Sequence, residues 1–170
     1  MLQIYCGNGK GKTTAAVGAA VRASGAGMRT AFFQFLKNGS SSEISCLDSV
    51  GILTSACPEC CKFSWEMNES ELGAVRDRHN SLLAEAARFI AEEHAGMIVL
   101  DEFLDAYKAG LLDTAAAERF VLSECKDCEI ILTGREALSP FAESADYISE
   151  ISAVKHPYKN GTPARKGIEY

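Results

Sequence analysis

Apolar residues along the chain fall into short unbroken runs separated by longer alanine-rich or amphipathic stretches. Residues 2–6 form a brief apolar segment that gives way at once to a glycine-rich turn, the pattern of a strand entering a loop. Residues 13–24 are rich in alanine and valine, contain no breaker but Gly18, and stop at Gly25 and Gly27, which predicts a helix. Residues 29–36 predict a second strand. The runs 97–100 and 130–133 are uniformly apolar, as strands of a parallel sheet covered on both faces are. Between them, residues 70–94 carry Leu72, Val75, Leu82, Leu83, Ala86, Ala87 and Ile90 at helical spacing with charges on the other positions, predicting one long amphipathic helix. Strands alternating with helices predict an α/β fold with a mostly parallel central sheet flanked by helices.

Composition narrows this picture. A chain of 170 residues with 47% hydrophobic content buries one core, so residues 1–170 are expected to form a single domain. The formal net charge of -6 leaves no overall basic footprint, and nucleic acid is not an expected partner. No apolar stretch reaches the roughly 18 to 20 residues that span a bilayer, and the first residues lack a signal-peptide profile. A soluble, cytoplasmic protein without a membrane partner is therefore expected. Seven cysteines, an odd number, fit a reducing compartment. Cys57 with Cys60 (Cys61 beside it) and Cys125 with Cys128 have the CxxC spacing of metal or redox pairs, but the two pairs lie far apart in the chain and do not by themselves name a metal site. Residues 37–45 are polar and predict a mobile loop. Residues 155–170, with two prolines, two glycines and five basic residues counting His156, do not resemble a linker.

The chemistry concentrates at strand ends. Gly7-Asn8-Gly9-Lys10-Gly11-Lys12-Thr13-Thr14 lies between the first strand and the first helix, where a phosphate-binding loop belongs. Glycines at alternate positions permit backbone conformations and close approaches that side chains forbid, so N–H groups can turn toward phosphate oxygens. The helix N-terminus adds partial positive charge, Lys12 can reach the terminal phosphates, and the Thr13 hydroxyl can ligate a bridging magnesium ion. The usual pattern opens with a glycine where this chain has Cys6, so the loop is a variant. Asp101 and Glu102 follow the apolar run at 97–100, at the carboxyl edge of the sheet, where either can complete a magnesium shell; a helix N-terminal charge cluster is the alternative. Arg135, after Thr133 and Gly134, ends the next strand at the same edge. It can hold a phosphate bidentately, or serve as a surface salt-bridge residue.

Five blocks carry a resemblance that spans nearly the whole chain in order: GNGKGKTTAA from Gly7, Phe63-Ser64-Trp65-Glu66, Val99-Leu100-Asp101-Glu102, Thr133-Gly134-Arg135, and an ending that runs from Val154-Lys155-His156-Pro157-Tyr158 to Lys166-Gly167-Ile168-Glu169-Tyr170. Together they resemble the corrinoid adenosyltransferases of the cobalamin pathway, P-loop proteins of RecA-like fold. The resemblance implies that residues 7–14 bind ATP, with Thr13, Asp101 and Glu102 around Mg2+, and that Co(I) of a corrinoid attacks the ribose 5′ carbon while triphosphate leaves. Lys12, Arg135 and Glu102 would then be catalytic, the first two through charge on the leaving group. Phe63 and Trp65 would crowd the lower face of the corrin and exclude its axial ligand, easing reduction of Co(II). An electron donor such as a reduced flavoprotein is implied. Some relatives fold an amino-terminal extension over the corrinoid, whereas this chain opens at the first strand, so a partner chain in a homodimer is expected to supply the cover. Two alternatives remain from the residues: a nucleoside kinase of thymidine-kinase type, with zinc on its cysteines, and a non-catalytic ATP-binding corrinoid carrier.

Overall fold

The apolar runs become strands because each must bury both of its faces. In the computed structural model, which describes all residues except Cys61, Phe63, Lys126 and Tyr170, the strands are β1 (Leu2–Cys6), β2 (Thr30–Gln34), β3 (Leu53–Ala56), β4 (Met97–Asp101), β5 (Glu129–Thr133) and β6 (Tyr147–Glu150). They form one sheet in the order β3-β2-β4-β5-β1-β6, and every pairing is parallel. β2 and β4 are buried along their whole length. Their alternate side chains serve two cores: Ile98 and Leu100 face one layer of helices, Met97 and Val99 the other. This is the α/β class expected from the sequence, consistent with a P-loop NTPase-like architecture.

One layer is α1 (Lys12–Gly25), whose small inner face of Ala16, Ala20 and Ala23 lets the helix approach Phe32, Val99 and Ile131 closely. Beside it lies α2 (Glu43–Ser49), anchored by Leu47. The other layer holds α3 (Glu69–Glu93), α4 (Phe103–Lys108), α5 (Thr114–Arg119) and α6 (Phe141–Ser144). α3 starts at a capping box: Asn68 accepts from the Glu71 amide, and the Glu71 carboxylate accepts from the Asn68 amide. It ends at His94 in the left-handed conformation. α2, β3 and β6 are short or edge elements without a readable apolar period, and the segment expected to be a mobile loop over 37–45 instead enters α2 at Glu43.

The glycines at 7 and 9 have a structural cause beyond ligand approach. After β6 the chain returns across the loop, and the Ile151 carbonyl accepts from the Gly9 amide at 2.7 Å while the Ile151 amide donates to Cys6. A Cβ at Gly7 would lie 2.4 Å from the Ile151 oxygen, and one at Gly9 would lie 2.6 Å from it. The Gly7 amide donates to the Arg135 carbonyl and the Ala153 amide to the Asn8 side chain. Two of the loop's amides are thus spent inside the protein, and the others remain for a ligand at the start of α1. Gly9→Ala is expected to lower the unfolding free energy by about 1–3 kcal/mol through this backbone clash. Gly18→Ala, at an exposed position of α1 where an added methyl meets nothing within 4 Å, is expected to raise it by up to about 1 kcal/mol. Urea unfolding of both variants checks this; equal effects would show that the Ile151 crossing does not constrain the loop.

Candidate functional site at the carboxyl edge of the sheet

The glycine-rich loop follows β1 and runs into the first turn of α1, so its remaining amides gather at the positive end of a 14-residue helix. Gly11 precedes that turn with φ 119°, a left-handed conformation natural to glycine. A cavity of about 260 Å³ opens there, lined by Gly7, Asn8, Gly9, Lys10, Gly11, Lys12, Thr13 and Thr14 together with Glu102, Arg135, His156, Ile168 and Glu169. All eight loop positions singled out from the sequence therefore share one cavity. The Lys12 ammonium donates to the Gly9 carbonyl at 3.1 Å, folded back over its own loop. His156, Ile168 and Glu169 come from the carboxyl-terminal segment, which the crossing at Ile151 directs over the loop. Glu169 pairs with Arg165 at 3.0 Å.

Beneath the cavity lies a buried carboxylate. Asp101, at the end of β4, is fully inaccessible to solvent. Its Oδ1 accepts from the hydroxyls of Thr13 (2.9 Å) and Thr133 (2.8 Å), and its Oδ2 accepts from the Lys37 ammonium at 2.6 Å. Lys37 also donates to the Thr13 hydroxyl at 3.2 Å. Burial opposes the charge on Lys37, but the attraction of Asp101 outweighs it, and the lysine holds its proton above the usual range. Glu102 sits in the left-handed region (φ 59°), its amide held by the Thr133 hydroxyl. Burial and the neighbouring Asp101 push its carboxyl up to about 7. The Gln34 amide nitrogen also reaches toward Asp101, while its oxygen is buried without a partner among the described residues.

A second cavity, of about 370 Å³, adjoins the first. It is lined by Leu36, Lys37, Cys60, Lys62, Ser64, Trp65, Met67 and Val75, with Glu102, Asp105, Ala109, Leu111 and Arg135. Glu102 and Arg135 belong to both cavities. Trp65, in the short turn at Ser64–Glu66, is 77% exposed and stands at the rim of this cavity. Arg135 is exposed, and its amide is held by the Asp105 carboxylate at 3.1 Å. Phe63 lies outside the described residues.

Every site residue expected from the sequence and described here thus lies at this edge. The sequence reading missed Lys37, assigned to a mobile loop although it is pinned to Asp101. It also missed Asp105, Gln34 and the way residues 168 and 169 close on the loop. A lysine just past a strand predicted to end at the sheet's carboxyl edge was the available signal for the first. Cys125 and Cys128 precede β5, at the opposite end of the sheet, and take no part.

Proteins called corrinoid adenosyltransferase from Pseudomonas aeruginosa and Escherichia coli are 31% and 32% identical to this chain, over 100% and 98% of it and 83% and 84% of their own lengths. One called corrinoid adenosyltransferase CobA, from Salmonella typhimurium, is 30% identical over 98% of this chain and 84% of its own length. With residues 1–170 also matching the family described as ATP:corrinoid adenosyltransferase BtuR/CobO/CobP, the chain belongs to that family.

Proposed function

We propose that the two adjoining cavities are the two substrate sites of adenosyl transfer, the glycine-loop cavity taking the triphosphate of ATP and the cavity beside Trp65 taking the corrinoid, within one domain spanning residues 1–170. The observation that carries this is the sharing of Glu102 and Arg135 by both cavities, which would bring the leaving group of one substrate beside the reacting centre of the other. The electron pair of Co(I) forms the bond to the ribose 5′ carbon as the bond from that carbon to the phosphate oxygen breaks, and triphosphate departs with the pair. Lys12, the free amides at the start of α1 and Arg135 stabilise the charge that gathers on the leaving triphosphate. Trp65, and Phe63 by its place in the motif, would occupy the lower face of the corrin.

A magnesium ion fits the residues present. Thr13, Asp101 and Glu102 offer hard oxygen ligands, the Lys37 ammonium already places a positive charge on Asp101, and the Gln34 oxygen is a spare buried acceptor. Thr13, Asp101 and Glu102 would hold the ion, which would neutralise phosphate charge when bound. Reduction of Co(II) needs one electron that none of these side chains provides, so the reading includes an external donor such as a reduced flavoprotein. A second copy of the chain in a homodimer would cover the open rim at Trp65. No helix of the described residues is long and apolar enough to cross a membrane, in keeping with a cytoplasmic enzyme.

The deciding experiment mixes the protein with magnesium ATP and chemically reduced cob(I)alamin without oxygen, and follows the light-sensitive adenosylcobalamin spectrum alongside released triphosphate. Product with stoichiometric triphosphate is expected; binding of both substrates without turnover would make the protein a carrier. In the same assay Lys12→Ala is expected to lower the rate by at least about 10²-fold, as loss of a donor to a developing anion does. Full activity in that variant would remove Lys12 from the reaction. Trp65→Ala is expected to slow the reaction started from Co(II) much more than that started from Co(I). An unchanged Co(II)-dependent rate would dismiss the proposed role of the tryptophan.

A further inference from the structure

Behind the wall of the Trp65 cavity, three soft or borderline ligands converge from separate parts of the chain. Cys57 follows β3 and is fully buried; Cys60 closes a turn on it, its amide donating to the Cys57 carbonyl at 2.9 Å. His79 projects from the inner face of α3, also fully buried. The two sulfurs lie 3.2 Å apart, Cys60 Sγ lies 3.9 Å from His79 Nε2, and the three ligand atoms all fall within 4.8 Å of one another. We propose that Cys57, Cys60 and His79 form a binding site for a divalent transition-metal ion, zinc being the best chemical match.

Geometry and chemistry support this independently. Tetrahedral zinc, with bonds of about 2.3 Å to sulfur and about 2.0–2.1 Å to nitrogen, separates two sulfurs by about 3.8 Å and a sulfur from a nitrogen by about 3.5 Å. The two measured separations lie within about 0.6 Å of these values. The second observation is the orientation of the imidazole. His79 Nδ1 is 2.8 Å from the Leu111 carbonyl, which can only accept, so Nδ1 carries the proton and Nε2, on the side of the sulfurs, is the nitrogen left to act as acceptor or ligand. A backbone carbonyl on the far nitrogen is the arrangement that fixes the ring of a metal-bound histidine. In the metal-free protein Nε2 accepts from the Leu36 amide at 3.1 Å, a bond that an ion would replace. With the ion in place, that amide is the donor at hand for a thiolate sulfur.

Three ligands among the described residues leave one position of the tetrahedron for a further group. The site ties β2's exit, the 57–60 turn and α3 together: the Cys57 amide donates to the Lys37 carbonyl at 3.0 Å, next to the Leu36 amide that faces His79. Cys60 lines both the cavity beside Trp65 and a neighbouring one that includes Thr13 and Lys37. The ion would therefore brace the wall between the two, whatever reaction proceeds there.

Cobalt(II) is a visible substitute for zinc and supplies the test. The full-length protein, free of any histidine tag, reduced and stripped with chelator, is titrated with Co2+ and then with Zn2+. One Co2+ per chain is expected, with a thiolate-to-cobalt charge-transfer band and the intense d–d bands of a tetrahedral site, all bleached by Zn2+. Cys60→Ser, with far-UV circular dichroism to confirm its fold, is expected to lose charge-transfer intensity and to weaken binding by at least about tenfold. Cys125→Ala, in the other CxxC pair, is expected to leave the spectrum unchanged. Absence of thiolate charge transfer in the folded wild-type protein would overturn the proposal, as would loss of the band in Cys125→Ala. So would a reduced protein that takes up no metal yet forms a Cys57–Cys60 disulfide on oxidation, which would assign the pair to redox chemistry.

Discussion

The carboxylate of Asp101 holds the carboxyl edge of the sheet together. A charge that buried survives only where partners replace water, and each partner here comes from a different element: Thr13 from the start of α1, Thr133 from the end of β5, and Lys37 from just beyond β2. Three strands and the glycine-rich loop are therefore indexed to one side chain. A buried pair broken by removal of one partner typically costs about 3–5 kcal/mol. The lysine's quarter exposure to water places this pair toward the lower end. The lysine also occupies, in the protein alone, a position beside the hydroxyl and carboxylate suited to a divalent cation. On the proposed reading, exchange of one positive charge for another would leave Asp101 compensated throughout, so that a metal-bound nucleotide would not strand a buried anion.

The loop itself is shaped by a long-range contact. Parallel sheets leave their ligand-binding loops at one edge, and the edge strand β6 sends the chain back across that edge at Ile151. The crossing consumes the Gly9 amide and forbids side chains at positions 7 and 9, and it also delivers residues 156, 168 and 169 to the same cavity. The motif at the chain's beginning and the motif at its end are thus parts of one object. A glycine pattern that looks like a local requirement of phosphate binding is half a requirement of packing.

What the sequence made legible followed from strength of pattern. Four buried strands, α1 and α3 carry long or uniform apolar signals, and their limits were recovered to within about two residues, the usual uncertainty of such boundaries. β3, β6 and α2 were hidden because four to seven residues at an edge need bury little. In the site, residues 7–14 with Asp101, Glu102 and Arg135 were legible because a loop or carboxylate at a strand's carboxyl end has few structural reasons to be there. Lys37 was not, since only the fold brings the exit of β2 beside the end of β4. His79 was hidden for the opposite reason: it falls on the apolar face of α3, where its spacing marks it as core, and its polar contacts with Leu36, Leu111 and Cys60 come from residues distant in sequence.

The two shared residues divide the work by charge. Arg135 is exposed and held by its backbone to Asp105, leaving its guanidinium at the boundary between the cavities. Glu102 is drawn the other way: its left-handed backbone and its amide bond to Thr133 fix it against Asp101, and burial there pushes its carboxyl up to about 7, so that a substantial protonated fraction is present near pH 7. A second full negative charge at this point would repel a triphosphate. A protonated Glu102 removes that repulsion, and a cation arriving with the nucleotide would restore its carboxylate as a ligand. On the proposed assignment of the two cavities, this carboxyl would become a favourable contact only when nucleotide and cation arrive together, which would tie occupation of the first cavity to the electrostatics of the second.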